Sequence, residues 1–141
     1  MELTTSSPEE TEAFAARLAA RLQAGDVVAV SGELGAGKTT FVRGAARALG
    51  VTEPVSSPTY TIGHRYEAPT PVAHLDLYRL ANLDPEDWGD LEPYFEGTVV
   101  FVEWPEHGGD WLPHARAAVT LDHVDELHRR VRISSDDDLG L

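Results

Sequence analysis

The sequence predicts a three-layer α/β fold built on a mainly parallel sheet with antiparallel additions. Three observations carry this expectation. Short, wholly apolar runs at 27–30 (VVAV) and within 98–104 (TVVFVEW) have the character of strands buried on both faces. Amphipathic helical segments alternate with strands in the first half of the chain. Strand-like segments then cluster late, at 117–121 and 129–133.

Each element follows in order. Ser7-Pro8-Glu9-Glu10 is a helix start: Ser caps, Pro suits the first helical position, and Glu three residues after the cap completes a capping box. Phe14, Leu18 and Leu22 recur every four residues, so an amphipathic helix follows and ends near Gly25. The strand at 27–30 leads into a glycine-rich stretch, 31–40. Beyond it, Phe41, Val42, Ala45, Ala46 and Leu49 share one helical face, and Gly50 stops that helix. Residues 55–67 (VSSPTYTIGHRYE) have strand propensity, with Pro58 demanding an irregular start or an edge. Residues 72–80 alternate, with Ala73, Leu75 and Leu77 to one side and His74, Asp76 and Tyr78 to the other. Residues 83–95 read as an interrupted helix in two short pieces, and 98–104 as a buried strand. The strands at 117–121 and 129–133 are joined by the polar DHVDELH.

With 141 residues, 42% of them hydrophobic, the chain has room for one packed domain. That domain is placed at 1–133, and the polar, acidic 134–141 is expected to be a flexible tail. Lys and Arg total 11 against 24 Asp and Glu, a formal net charge of −13. Such a surface repels a polyphosphate backbone, so direct binding of RNA or DNA by the chain alone is not expected. The only lysine is Lys38. Cysteine is absent, which removes disulfides, Cys-zinc sites and thiol chemistry and fits a reducing cytoplasm. The first ten residues lack the basic and apolar regions of a signal peptide. No apolar run approaches the ~18–20 residues that span a bilayer, so no membrane role is expected.

Residues 32–39 (GELGAGKT) match G-x-x-x-x-G-K-[ST] in full. The pattern alone recurs by chance; a buried strand directly before it and an amphipathic helix directly after it make it specific. Glycines let successive backbone N–H groups turn inward onto phosphate oxygens, and the following helix start favours anions. The expected nucleotide contacts are therefore Leu34, Gly35, Ala36, Gly37, Lys38, Thr39 and Thr40. Lys38 would reach the β- and γ-phosphates, and the Thr39 hydroxyl would serve Mg²⁺. The fold class sharpens accordingly to P-loop NTPase-like. Such a loop needs a carboxylate from a neighbouring strand end. Glu103, at the end of VVFVE, is the stronger candidate, because a charge closing a buried strand is costly without a partner. Asp76 has only its place on a polar face; in a chain with 24 carboxylates a surface acid is the ordinary reading. Thr59 can sense the γ-phosphate and metal as switch segments do, although a plain strand Thr is the chemically simpler reading.

Four segments in one order now stand out: GELGAGKTTFVRG (32–44), SSPTYTI (56–62), HLDLYRL (74–80) and VEWPE (102–106). Together they resemble the TsaE family, also called YjeE, small bacterial P-loop ATPases required for the threonylcarbamoyladenosine modification of tRNA. The resemblance spans most of the chain. It implies ATP and Mg²⁺ as ligands, and assembly with the TsaB–TsaD pair, in which TsaD carries the transfer chemistry. ATP hydrolysis would then reset the assembly between turnovers. By motif, Lys38 and Thr39 match the loop Lys and the Mg²⁺ Thr, Thr59 the Thr of the SPT segment, and Asp76 the functional Asp of H-x-D-x-Y-R. Glu103 matches the metal-serving acid of the EWP segment, and Trp104 its aromatic neighbour. Lys38, Asp76 and Glu103 thus form the implied catalytic set, with Thr39 and Glu103 at the metal. His74, Tyr78 and Arg79 belong to the motif, with packing, partner-facing and catalytic roles all open. The resemblance puts the adenine pocket between Thr11 and the turn near His128 and Arg129. Two other readings of the loop are a small-molecule kinase and a nucleotide-dependent interaction switch that hydrolyses ATP only incidentally.

Overall fold

In the computed structural model, which describes residues 1–56, 62–80 and 83–141, the chain opens with β1 (Glu2–Thr5), α1 (Pro8–Ala19), β2 (Val27–Gly32) and α2 (Lys38–Ala48). It continues through β3 (Gly63–Tyr66), β4 (Val72–Asp76), α3 (Pro85–Leu91) and a 3-10 turn at Glu92–Phe95. β5 (Val99–Glu103) is followed by 3-10 turns at Pro105–His107 and Gly109–Trp111, then by β6 (Ala117–His123) and β7 (Arg129–Ser135). The sheet order is β1-β7-β6-β2-β5-β4-β3. The four central strands run parallel, while β1, β7 and β3 add on antiparallel at the two sides.

The period-2 geometry of the strands divides the core into two faces. Val28, Val30, Val72, Val99 and Phe101 pack with Phe14, Leu18, Phe41 and Val42 of α1 and α2. Val27, Ala73, Leu75, Leu77, Val100 and Val102 pack with Leu91 of α3, and Trp88 and Phe95 lean on the same cluster. Helix, sheet and helix thus make the three expected layers.

The local signals act mostly as read. The Ser7 hydroxyl accepts from the Glu10 N–H, but the Glu10 carboxylate reaches back to Ser6, not to Ser7, so the capping box is half made. A complete box, with Pro85 behind it, starts α3 at Asp84 and Asp87. α1 stops at Ala19, before the expected Gly25, and turns lead from it to β2. β1 was not anticipated: its four residues hold one apolar side chain, Leu3, and its strand character comes from pairing with β7. β7 runs two residues beyond the boundary set at 133, and Leu139 packs into the core cluster of the α1–α2 face. The polar side of 72–80 is not uniform: His74 is fully buried, Asp76 is half-buried and Tyr78 is exposed. Among the described residues no helix is long and apolar enough to cross a membrane.

Candidate functional site

The loop between β2 and α2 is shaped by glycine. Gly32, Gly35 and Gly37 have φ of 150°, 78° and 101°, and left-handed backbone of this kind is open to glycine at little cost. Gly37 caps α2 without any side-chain hydrogen bond, since glycine has no side chain to accept from the first N–H groups of that helix. Ala36 is buried in the α1–α2 core and does not line the cavities on either flank of the loop.

Lys38 turns back into the loop. Its Nζ donates to the carbonyls of Gly32 at 2.6 Å and Glu33 at 2.9 Å. An ammonium has three hydrogens, which leaves one beyond these two bonds. The same Nζ lies 4.7 Å from the centre of the Trp104 ring, within the reach of a cation–π contact. Burial pushes the Lys38 ammonium below its ordinary pKa; the carboxylates of Glu103, Asp76 and Glu106 oppose that shift.

The acids arrive by strand register. β4 and β5 are parallel neighbours with Asp76 opposite Glu103 and His74 opposite Phe101. Alternation puts Val72, His74 and Asp76 on the α2 side, and does the same for Val99, Phe101 and Glu103. Glu103 Oε2 accepts from Thr39 Oγ1 at 3.5 Å and is hydrogen-bonded to His74 Nε2. Asp76 Oδ1 accepts from the Tyr78 N–H at 3.0 Å. Trp104 has φ 57° and ψ 50°, the one non-glycine with positive φ among the described residues. This uncommon backbone sets its ring over Lys38 and 5.1 Å from the Tyr78 ring. His107 Nδ1 is bonded to the Leu77 carbonyl at 2.8 Å, and Leu77 N–H donates to Glu103 O at 3.1 Å, so the ends of β4 and β5 are tied together.

These groups surround a cavity of about 300 Å³. Leu34, Gly35, Gly37, Lys38, Thr39 and Thr40 line it from the loop side, and Asp76, Tyr78, Glu103 and Trp104 line it from the strand ends. A second cavity of about 450 Å³ adjoins the other flank of the loop, sharing Gly35, Gly37 and Thr40. Thr11, Leu127 and Arg129 line it together with Ser6, Ser7, Pro8 and Glu126. The structure thus gathers the predicted loop residues other than Ala36, with Asp76 and Glu103, in one place and puts Thr11 in the adjoining cavity. His128 does not line that cavity; its Nδ1 is bonded to Asp125 Oδ1 at 2.8 Å. Thr59 lies outside the described residues. Sequence reasoning missed how His74 and His107 serve the site. Period-2 alternation already placed His74 beside Asp76, but nothing in the sequence paired it with Glu103.

The donor set suits Mg²⁺ carried by a nucleotide. Among the described residues no three His, Asp or Glu side chains form a ready-made metal cage. Mg²⁺ is ordinarily held by one or two carboxylates plus phosphate oxygens and water, and Thr39, Glu103 and Asp76 border the same cavity as the loop.

A glycine-rich loop joining a central parallel strand to a helix, with acids closing the neighbouring strands, defines a P-loop protein. Residues 5–131 match the family model described as Threonylcarbamoyl adenosine biosynthesis protein TsaE. The chain is 40% identical over 133 residues to the tRNA threonylcarbamoyladenosine biosynthesis protein TsaE of Bacillus subtilis, covering 93% of this chain and 83% of that protein. The protein of the same name from Treponema pallidum is 33% identical over 135 residues, covering 95% of this chain and all (100%) of the other. The crystal structure of Bacillus subtilis YdiB superposes with a TM-score of 0.80 at 33% identity, over 97% of this chain and 86% of that one. The chain therefore belongs to the TsaE family, which takes part in tRNA threonylcarbamoyladenosine biosynthesis.

Proposed function

We propose that this chain binds and hydrolyses ATP with Mg²⁺, and that it supports threonylcarbamoyladenosine modification of tRNA by assembling with the TsaB–TsaD pair. The observation that carries this is the convergence of Lys38, Thr39, Asp76 and Glu103 on one cavity from the loop and from two parallel strand ends. Lys38 presents its remaining hydrogen to a phosphate oxygen. Thr39 and Glu103 hold the metal side, and Asp76, the more open of the two acids, orients the attacking water. Held there, Mg²⁺ would supply neutralisation of the charge on the transferred phosphate.

The same geometry sets the rate. Among the described residues no arginine lines the cavity. Arg65 is engaged by Glu67 and by the Glu96 carbonyl on the sheet edge. Arg79 is exposed in the turn after β4. Intrinsic hydrolysis without an arginine at the transferred phosphate is slow in P-loop proteins, and one supplied in trans is worth ~10³–10⁵. The isolated chain is therefore a slow ATPase that the TsaB–TsaD pair accelerates. The arginine-poor cavity also disfavours a kinase, whose transferred phosphate must be covered and kept from water.

The test is steady-state phosphate release by the chain alone and with the purified pair, alongside Lys38→Ala. The variant should keep its fold and lose hydrolysis, because the truncation adds no bulk and gives up only two bonds to loop carbonyls, while it removes the charge-assisted contact proposed for phosphate. Undiminished hydrolysis by Lys38→Ala in the presence of the pair contradicts the loop assignment. Nucleotide-dependent assembly without turnover would establish the interaction switch instead.

A further inference from the structure

We propose that His74 is the positioning residue of the metal-serving carboxylate: it holds Glu103 in the rotamer that faces Thr39. The inference rests on the reading of Glu103 as the acid that serves Mg²⁺. His74 is 0% exposed and Glu103 3%. The ring reaches Glu103 across the β4–β5 pair, and the bond is to Oε2, the oxygen that also accepts from Thr39. His74 Nδ1 is buried with no hydrogen-bond partner among the described residues. An orphaned N–H is rarer in protein interiors than an under-used acceptor, so the network assigns the ring proton to Nε2, which donates to the carboxylate. One imidazole thereby offsets the burial of Glu103, limits its rotation, and leaves Oε1 for the metal side. This is the arrangement by which outer partners tune first ligands in metal sites, where their loss typically costs ~10–100-fold in metal affinity.

A buried histidine that merely fills space makes a different prediction, and isosteres separate the two. Gln places an amide nitrogen near the Nε2 position, Asn only near Nδ1, and Phe fills the volume with no donor. The measurement is Mn²⁺ binding to the protein–ADP complex by electron paramagnetic resonance, beside ADP binding in EDTA and thermal melting. His74→Phe and His74→Asn should weaken Mn²⁺ by roughly tenfold or more. His74→Gln should stay within about threefold of wild type, and metal-free ADP binding should be unchanged in all three. If Phe does not fold, the Asn and Gln pair decides. Imidazole nitrogen chemical shifts should show the Nε2–H tautomer; an Nδ1–H tautomer overturns the proposal, as does equal Mn²⁺ affinity in Asn, Gln and wild type. Glu103→Gln keeps the two readings apart. If it leaves Mn²⁺ affinity unchanged, the metal role of Glu103 fails and this inference with it. If it weakens Mn²⁺ while His74→Phe and His74→Asn do not, only the inference about His74 fails.

Discussion

Asp76 and Glu103 are register partners at the ends of adjacent strands, yet their surroundings give them different work. Glu103 is buried and bonded to His74 and Thr39; Asp76 is half-buried on the cavity wall, its Oδ1 taken by the Tyr78 N–H. Their neutral isosteres should therefore fail differently. Glu103→Gln should raise the Mg²⁺ concentration for half-maximal activity by at least about tenfold, as weakened metal ligation does. Asp76→Asn should keep the wild-type Mg²⁺ dependence and nucleotide affinity while turnover falls by about 10²-fold or more, the scale of a lost proton-handling group. Paired Mg²⁺ titrations decide this, and superimposable curves for wild type and Glu103→Gln would refute the metal role. Glu103 was legible from sequence because a charge closing a run of four apolar residues demands a partner. The partner was not legible, because histidine suits a core, a ligand shell or a surface equally well. Only the register of two strands distant in sequence brings it to the carboxylate.

At the scale of elements, the apolar spacing of α1 and α2 was readable, but the distance between them was not. A Cβ on Gly44 of α2 would stand 2.5 Å from both the Cα and the carbonyl oxygen of Glu12 in α1. Alanine there gains up to about 1 kcal/mol of helix propensity. Overpacking against backbone, which cannot swing aside as a side-chain tip can, costs about 1–3 kcal/mol. The second effect wins, so Gly44→Ala should lower the melting temperature by a few degrees, and a thermal melt reporting stabilisation would show that the helices separate easily. Strands followed the same rule. The wholly apolar β2 and β5 announced themselves, because burial on both faces leaves a mark in composition. β1, with Leu3 as its one apolar side chain, is specified by its partner β7 and has no local signal to read.

For the whole molecule, the fold class was legible because alternation of helices and strands constrains topology, and the phosphate loop because its chemistry requires spaced glycines. The two flanks of the loop were less so, since the wall around Thr11 and Arg129 is assembled from the start of α1 and the β6–β7 turn, 118 residues apart by their numbers. A net charge of −13 has its own consequence at this scale. If that charge steers docking, stimulation by the TsaB–TsaD pair should decline as salt rises from about 0.05 to about 0.5 M and the screening length contracts. The slow basal rate should stay level, and salt-independent stimulation measured by phosphate release would remove electrostatic steering from the account. Gly32 joins these scales. It ends β2 alongside β6, and a Cβ there would lie 2.4 Å from the Leu121 carbonyl oxygen. The first glycine of the loop thus answers to the sheet before it answers to a phosphate. Replacing it is an operation on sheet closure, so loss of activity in such a variant is no measure of the ligand contact. The test of nucleotide use belongs at Lys38, whose truncation gives up two hydrogen bonds to the Gly32 and Glu33 carbonyls but pushes no new atom against the sheet.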